Sequence, residues 1–201
     1  MRKKGCLLQK ISRKLGERLL KSCSGQTEAA AGMFLLLFLA VLLYGRLQTE
    51  TYRAAAQYLE DALAASNLAS AVIDVEEYGI SHNIIIEDLQ LSFERYKEAL
   101  KGNLNLDDSW QCPNKRMISG QVTIADYIIY NCEQEQISAY RIGETGILEQ
   151  WHGRAGEITA PNGVPVESAG IYSEITFPVE GVWGISTEAR KGKLVDIISN
   201  E

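Results

Sequence analysis

From Ala29 to Gly45 the chain reads AAAGMFLLLFLAVLLYG, 17 positions without a charge, with Glu28 at the head and Arg46 at the foot. As a helix rising about 1.5 Å per residue this run covers roughly 25 Å, a little short of the roughly 30 Å hydrocarbon core of a bilayer. Continuing through Arg46, Leu47 and Gln48, with the guanidinium reaching the headgroups, supplies the difference. The pattern therefore predicts one transmembrane helix within residues 26–48. A buried core helix is opposed by the uncharged run and its one-sided basic flank. A cleavable secretory segment is opposed by Tyr44-Gly45-Arg46-Leu47, which stands where a small-x-small site would be needed.

Beyond the apolar run, Leu47 to Ala71 contains no Gly or Pro and is rich in Ala, with Tyr58, Ala62, Ala65 and Ala69 at three- or four-residue spacing. The helix is predicted to continue outward, so that Glu28 to Ala71 forms one helix some 65 Å long at about 1.5 Å per residue. Glu76-Glu77-Tyr78-Gly79 reads as a turn, and Ser81 then opens a second helix from His82 to about Lys101. Ile85, Leu89, Phe93, Tyr96 and Leu100 form its apolar stripe, predicted to pack on the first helix, and Gly102-Asn103 supplies the left-handed stop. From Met117 onward the period changes to that of strands: a run through Val122, Ile124, Tyr127, Ile129 and Tyr130, then Ile137 to Ile142, Ile147 to His152, Glu157 to Ala160, Val164 to Glu167, Ile171 to Val179, Gly184 to Ala189 and Lys193 to Ile198. Gly143-Glu144-Thr145-Gly146, Pro161-Asn162-Gly163, Glu180-Gly181 and Arg190-Lys191-Gly192 read as the turns between them. The predicted class is α+β: a single membrane helix running into a long external helix, a second helix, and an antiparallel sheet within one external domain, residues 49–201.

Charge sets the expected orientation. Residues 1–25 carry eight Lys and Arg against Glu17 alone, a net +7, and the rest of the chain sums to −13, so the overall −6 conceals two opposite halves. The basic leader is expected to stay cytoplasmic and the acidic domain to lie outside the cell membrane. Within the leader, Leu8, Ile11, Leu15 and Leu19 recur at helical spacing between the basic residues, a pattern suited to the surface of an anionic bilayer as well as to a segment that is removed. The lipid bilayer, and no nucleic acid, is the partner this charge distribution implies.

Little in the chain suggests catalysis. Neither His82 nor His152 belongs to a metal-spaced pair, no glycine loop has phosphate-binding spacing, and no Ser, Cys or Thr stands in a nucleophile elbow. The acid pairs Asp107-Asp108 and Glu76-Glu77 fall in predicted turns, where solvated surface is the ordinary role. Trp110, Trp151 and Trp183 are scattered over loop and strand positions, which suits core or rim packing. No enzyme activity, metal or cofactor is expected. Cys6 and Cys23 fall on the reducing side, whereas Cys112 and Cys132, about 20 residues apart, could form a disulfide once exported.

The junction Ser24-Gly25-Gln26-Thr27-Glu28, followed directly by the span, resembles the processing region of type IV pilin-like proteins, most closely the TadE-like minor pilins of the tight-adherence (Flp) pilus machinery. That resemblance covers Gly25 to Ala71. It implies cleavage between Gly25 and Gln26 by a prepilin peptidase, an assembly role for Glu28 against a neighbouring subunit's amino terminus, and partners among other pilin-like subunits or membrane platform proteins. One departure is that Glu28 stands third after Gly25, where the family's glutamate stands fifth. The expected function is a non-enzymatic subunit or accessory factor of a bacterial surface pilus or secretion apparatus. The alternative is a membrane-anchored external domain that binds a ligand or partner and does not polymerise.

Overall fold

A computed structural model describes the backbone of residues 4–81, 83–113, 118–180 and 186–197, with side chains from Thr27 onward apart from those of residues 77 and 81. His82, Met117, Gly181, Trp183, Gly184 and Ile198, named above, lie outside the described residues. Two compact units are present, one reaching to Thr51 and the other beginning at Tyr52. Helix α1, Lys4–Ser70, contributes to both. In the first unit every residue from Thr27 to Leu47 is exposed. Thr49 and Thr51 then return their hydroxyls to the carbonyls of Gly45 and Leu47 at 2.9 Å, which satisfies them within the helix.

In the second unit the last part of α1 lies on a five-stranded antiparallel sheet made of β1 (Thr123–Glu133), β2 (Gln136–Gly143), β3 (Gly146–Arg154), β4 (Gly170–Glu180) and β5 (Ser186–Asp196). The strand order is β3-β2-β1-β4-β5. Alternation along β1 sends Tyr127 and Ile129 to one face and Ile128 and Tyr130 to the other, and each face closes over its own core. On the first face Leu59, Leu63, Phe93, Tyr96 and Leu100 from the helices meet Tyr127, Ile129, Ile171 and Ile175. On the second, the connection from β3 to β4 folds back so that Ile158, Ala160 and Val166 cover Ile128, Tyr130, Ile137 and Tyr172. Both faces are apolar because both are covered.

Several elements differ from expectation, each for a local reason. Val75–Ser81 is a short helix, α2, in place of a turn, and the Asp74 carboxylate accepts the Glu76 N–H at its start at 2.9 Å. Residues 83–88 are not helical: Ile84 and Ile86 are buried with period two, and the Asn131 side chain pairs with both backbone groups of Ile86 at 3.0 Å. Helix α3 is accordingly Leu89–Leu104, capped by Asp88, whose carboxylate accepts the Leu91 N–H at 2.8 Å. It runs past Gly102-Asn103 and ends on Asn105 at φ 50°.

Of the series Tyr58, Ala62, Ala65 and Ala69, the buried face of α1 takes in Ala62 alone. Ala65 and Ala69 are exposed, and Leu59, Ala62, Leu63, Ser66, Asn67 and Ser70 turn inward. Among the predicted strands, Glu157 to Ala160 and Val164 to Glu167 form a loop closed by one bridge between Thr159 and Pro165. Arg190-Lys191-Gly192 is no turn, because β5 passes straight through it with Gly192 opposite Glu174. A side chain at Gly192 would run into the Tyr172 ring and hydroxyl, so the glycine serves close packing there. The β1–β2 hairpin turns on Gln134 and Glu135, both at positive φ (46° and 68°), the geometry of a type I′ turn without its usual Asn-Gly.

Candidate functional site

The residues singled out at the membrane junction lie on α1. Gly25 and Gln26 fall within the continuous helix, and Glu28 is exposed at the head of the apolar run. From Met33 to Tyr44 the large side chains project in every direction around the helix, Phe34 keeping 74% of its surface. Of the described helices, α1 alone is long and apolar enough to cross a bilayer.

Cys112 and Cys132 are not bonded to each other. Cys112 packs on the helix-side core with its Sγ 3.9 Å from the Leu104 carbonyl, whereas Cys132 packs on the opposite core. The sheet separates them, a relation that spacing along the chain does not reveal. Burial raises the Cys132 thiol pKa, which disfavours the reactive thiolate. His152 is exposed on β3, its Nδ1 3.0 Å from the Ser138 hydroxyl. Trp110 packs against the helix-side core, and Trp151 meets Tyr130 edge to face with centroids 6.5 Å apart. Among the described residues no group of three or more His, Cys, Asp and Glu could hold a metal ion.

The second unit holds a groove of about 560 Å³ between α3, the end of the β2–β3 hairpin and the first half of β1. Unequal pairing of β1 creates it. On one side β1 pairs with β4 from Thr123 to Tyr130; on the other it pairs with β2 only from Ile128 to Glu133. Thr123 to Tyr127 therefore has no ladder partner on the β2 side, and these residues, with Gln121 and Val122, line the groove. A bulge at Ala125 deepens the asymmetry: Ile124 pairs with Ile175 and Asp126 with Glu174, leaving Ala125 out of the β4 ladder as well. Leu148 folds over Gly143, where a Cβ would lie 2.8 Å from its Cδ1, and closes the hairpin wall.

Ion pairs frame the groove. Lys97 on α3 reaches Glu94 at 3.0 Å and Glu144 of the β2–β3 turn at 2.9 Å, tying the helix to the hairpin. Burial lowers the Lys97 pKa, but the hydrogen bonds and charges of Glu144 and Glu94 outweigh it and raise the value on balance. Arg141 bridges Asp126, at 2.9 Å, and Glu149. The ammonium groups of Lys97 and Lys101 stand over the rings of Phe93 and Trp110 at 4.9 and 5.3 Å. Lining acids Glu94, Glu98, Asp126 and Glu144 outnumber Lys97, Lys101 and Arg141, and Glu98 has no cationic partner among the described residues. Sequence reading missed this groove, because it depends on how far two paired strands run together.

No family model, curated protein or solved structure matches the chain.

Proposed function

We propose that this chain is a single-pass, membrane-anchored, pilin-like subunit or accessory factor of a bacterial surface pilus or secretion apparatus. The observation that carries the reading is the helix from Thr27 to Leu47, apolar along most of its length and exposed on every side, a surface that water does not tolerate and lipid covers. The net +7 of residues 1–25 supports a cytoplasmic leader with the sheet-bearing unit outside. The Gly25-Gln26 junction and Glu28 then stand at the inner membrane boundary. Glu28 serves assembly by meeting a neighbouring subunit's amino terminus, where the edge of the hydrocarbon strengthens the pairing.

The test joins two variants in the native host. Gly25→Leu should block removal of the leader, read by the mass and N-terminal sequence of the chain. Glu28→Ala should leave membrane insertion intact and abolish co-purification with the assembly partners. A wild-type chain that begins at Met1, together with Glu28→Ala retaining its partners, would refute the pilin-like reading. Protease added to intact, wall-stripped cells should digest the second unit, and its protection would refute the orientation.

A second reading is a membrane-anchored domain that binds an extracytoplasmic partner without polymerising. The open groove beside β1 favours it.

A further inference from the structure

We infer that the groove beside β1 receives an extended, cationic peptide segment of a partner protein as an added β-strand. The inference rests on the geometry of the second unit and holds whichever of the two readings above is correct.

The floor of the groove is strand backbone. Thr123 to Tyr127 is extended, ladders with β4 on one side and has no strand on the other. In an antiparallel pair, alternate residues direct N–H and C=O away from their partner strand, so a one-sided strand presents a repeating row of donors and acceptors. Tyr127 is fully buried, so the accessible row is Thr123 to Asp126, four residues and roughly 13 Å at about 3.3 Å each. Its natural complement is another polypeptide in the same conformation, because only a backbone repeats its donors and acceptors at that interval. Ala125, the bulged residue, is exposed and stands outside the β4 ladder, so the incoming strand must accommodate one irregular step there.

The walls set what the added strand must carry. Trp110, half-buried, and Leu148, exposed, offer apolar contacts to side chains on alternate positions of the incoming strand. The electrostatic excess is negative: Lys97 is already held between Glu94 and Glu144, Arg141 between Asp126 and Glu149, and Glu98 is left over. A strand with apolar residues on one face and Lys or Arg on the other matches both features. An acidic strand would meet like charge.

The outer edge of the sheet is the natural competitor. β3, Gly146–Arg154, pairs only with β2 and exposes Ile147 and Leu148. Gly146 and Ile147 at its start share a hollow with Glu87 to Gln90, whereas the β1 edge has α3 on one flank and the hairpin on the other. Enclosure desolvates the new hydrogen bonds, which strengthens them.

The experiment uses the full chain in detergent micelles and a fluorescein-labelled heptapeptide, Thr-Val-Lys-Val-Thr-Val-Lys, followed by anisotropy and by hydrogen exchange with mass spectrometry. Saturable binding is expected, with slowed exchange in the segment covering residues 121–127. Replacing the peptide lysines by glutamates should weaken binding, and N-methylation of alternate peptide nitrogens on the pairing edge should weaken it by about tenfold or more, the equivalent of one lost hydrogen bond to a well-enclosed partner. Ala125→Pro removes the bulge N–H and should weaken binding similarly. Should that variant lower the melting midpoint, Glu98→Lys decides, because it should reverse the preference between the lysine and glutamate peptides while leaving the exposed helix surface folded. No saturable binding at millimolar peptide, protection confined to the β3 edge, or an N-methylated peptide that binds as well as its parent would each overturn the inference.

Discussion

Tyr96 and Tyr127 pack ring to ring in the helix-side core with centroids 4.7 Å apart, and both are fully buried. Deleting their hydroxyls should nevertheless have different consequences. The Tyr127 hydroxyl donates to Ser70 Oγ at 2.9 Å, Ser70 Oγ donates to the Asn67 carbonyl at 2.8 Å, and Ser92 Oγ lies 2.7 Å from the Ser70 carbonyl and 2.8 Å from the Tyr127 oxygen. Three hydroxyl protons serve these four contacts, so Ser92 divides its proton between the Ser70 carbonyl and Tyr127. Tyr127→Phe removes one full and one shared hydrogen bond, but every serine proton keeps an acceptor. At about 1 kcal/mol per bond the cost is about 1 to 2 kcal/mol.

For Tyr96 the balance has the opposite sign. Its buried hydroxyl has the equally buried Ser173 hydroxyl beside it, outside good hydrogen-bond geometry, so Tyr96→Phe gives up at most a weak contact against a desolvation penalty and should be neutral or stabilising by up to about 1 kcal/mol. With a melting shift of about 2–4 °C per kcal/mol for a domain of this size, Tyr127→Phe should lower the midpoint by about 2–8 °C and Tyr96→Phe should leave or raise it. The assay is thermal circular dichroism on residues 52–201, the compact second unit. If Tyr96→Phe destabilises as much as Tyr127→Phe, the hydroxyl accounting is wrong.

Glu60 bonds to Lys193 at 2.7 Å and Lys191 at 2.9 Å, and those ammonium groups hold its carboxyl at about 2, below its usual 4.5. A depressed carboxylate stabilises the fold above its unfolded pKa and loses that contribution as pH falls toward the folded value. Glu60→Gln should therefore cost about 0.5–1 kcal/mol at neutral pH, a surface-pair magnitude because the site is over a third exposed, and the difference should vanish between about pH 4.5 and 2 in acid-denaturation curves. Burial pushes the Tyr127 pKa up to about 12, so an ultraviolet tyrosinate titration should show this residue ionising well after the exposed tyrosines, and the stability that raised value confers should fall as pH rises from about 10 toward 12. Gly192→Ala should drive a methyl into Tyr172 and cost about 1–3 kcal/mol in denaturant unfolding; a neutral result would show that the ring moves aside freely. Thiol labelling of denatured, non-reduced protein should find both Cys112 and Cys132 reactive, and finding neither would restore the bridge.

The α+β class, the single apolar helix and most strand positions were legible because their signals are local. Val122 to Tyr130 and Ile171 to Val179 carry β-branched and aromatic residues, and Gly143 to Gly146 carries turn chemistry. What escaped depends on neighbours distant in sequence. Ile85 extends the helical spacing of Leu89 and Phe93, but Asn131 takes both backbone groups of Ile86 and holds residues 83–88 out of the helix, whose cap is Asp88 and not Ser81. The inward face of α1 was not legible, because Ser66, Asn67 and Ser70 read as polar surface; Ser66 and Ser70 return their hydroxyls to carbonyls of α1 itself, and Asn67 bonds to carbonyls of β4 and β5. The groove was invisible for a related reason, since no residue pattern announces that β1 outruns β2.

The polar underside of α1 also has a mechanical consequence. Asn67 Nδ2 donates to the carbonyls of Ile171 at 3.2 Å and Lys193 at 3.0 Å, and Glu60, seven residues earlier, clasps Lys191 and Lys193. These anchors are two helical turns apart, roughly 10.5 Å, and both grip the β4–β5 pair. An oily helix face can creep along a sheet by one turn and find new contacts of similar quality. Here a one-turn slip of roughly 5.4 Å would bring Leu63 or Ala71 to the place of Asn67 and forfeit both bonds. Load applied along the helix at Thr51 should thus meet a ratchet with a single tooth setting, holding without drift up to one sharp rupture force, the response of a tether and not of a spring.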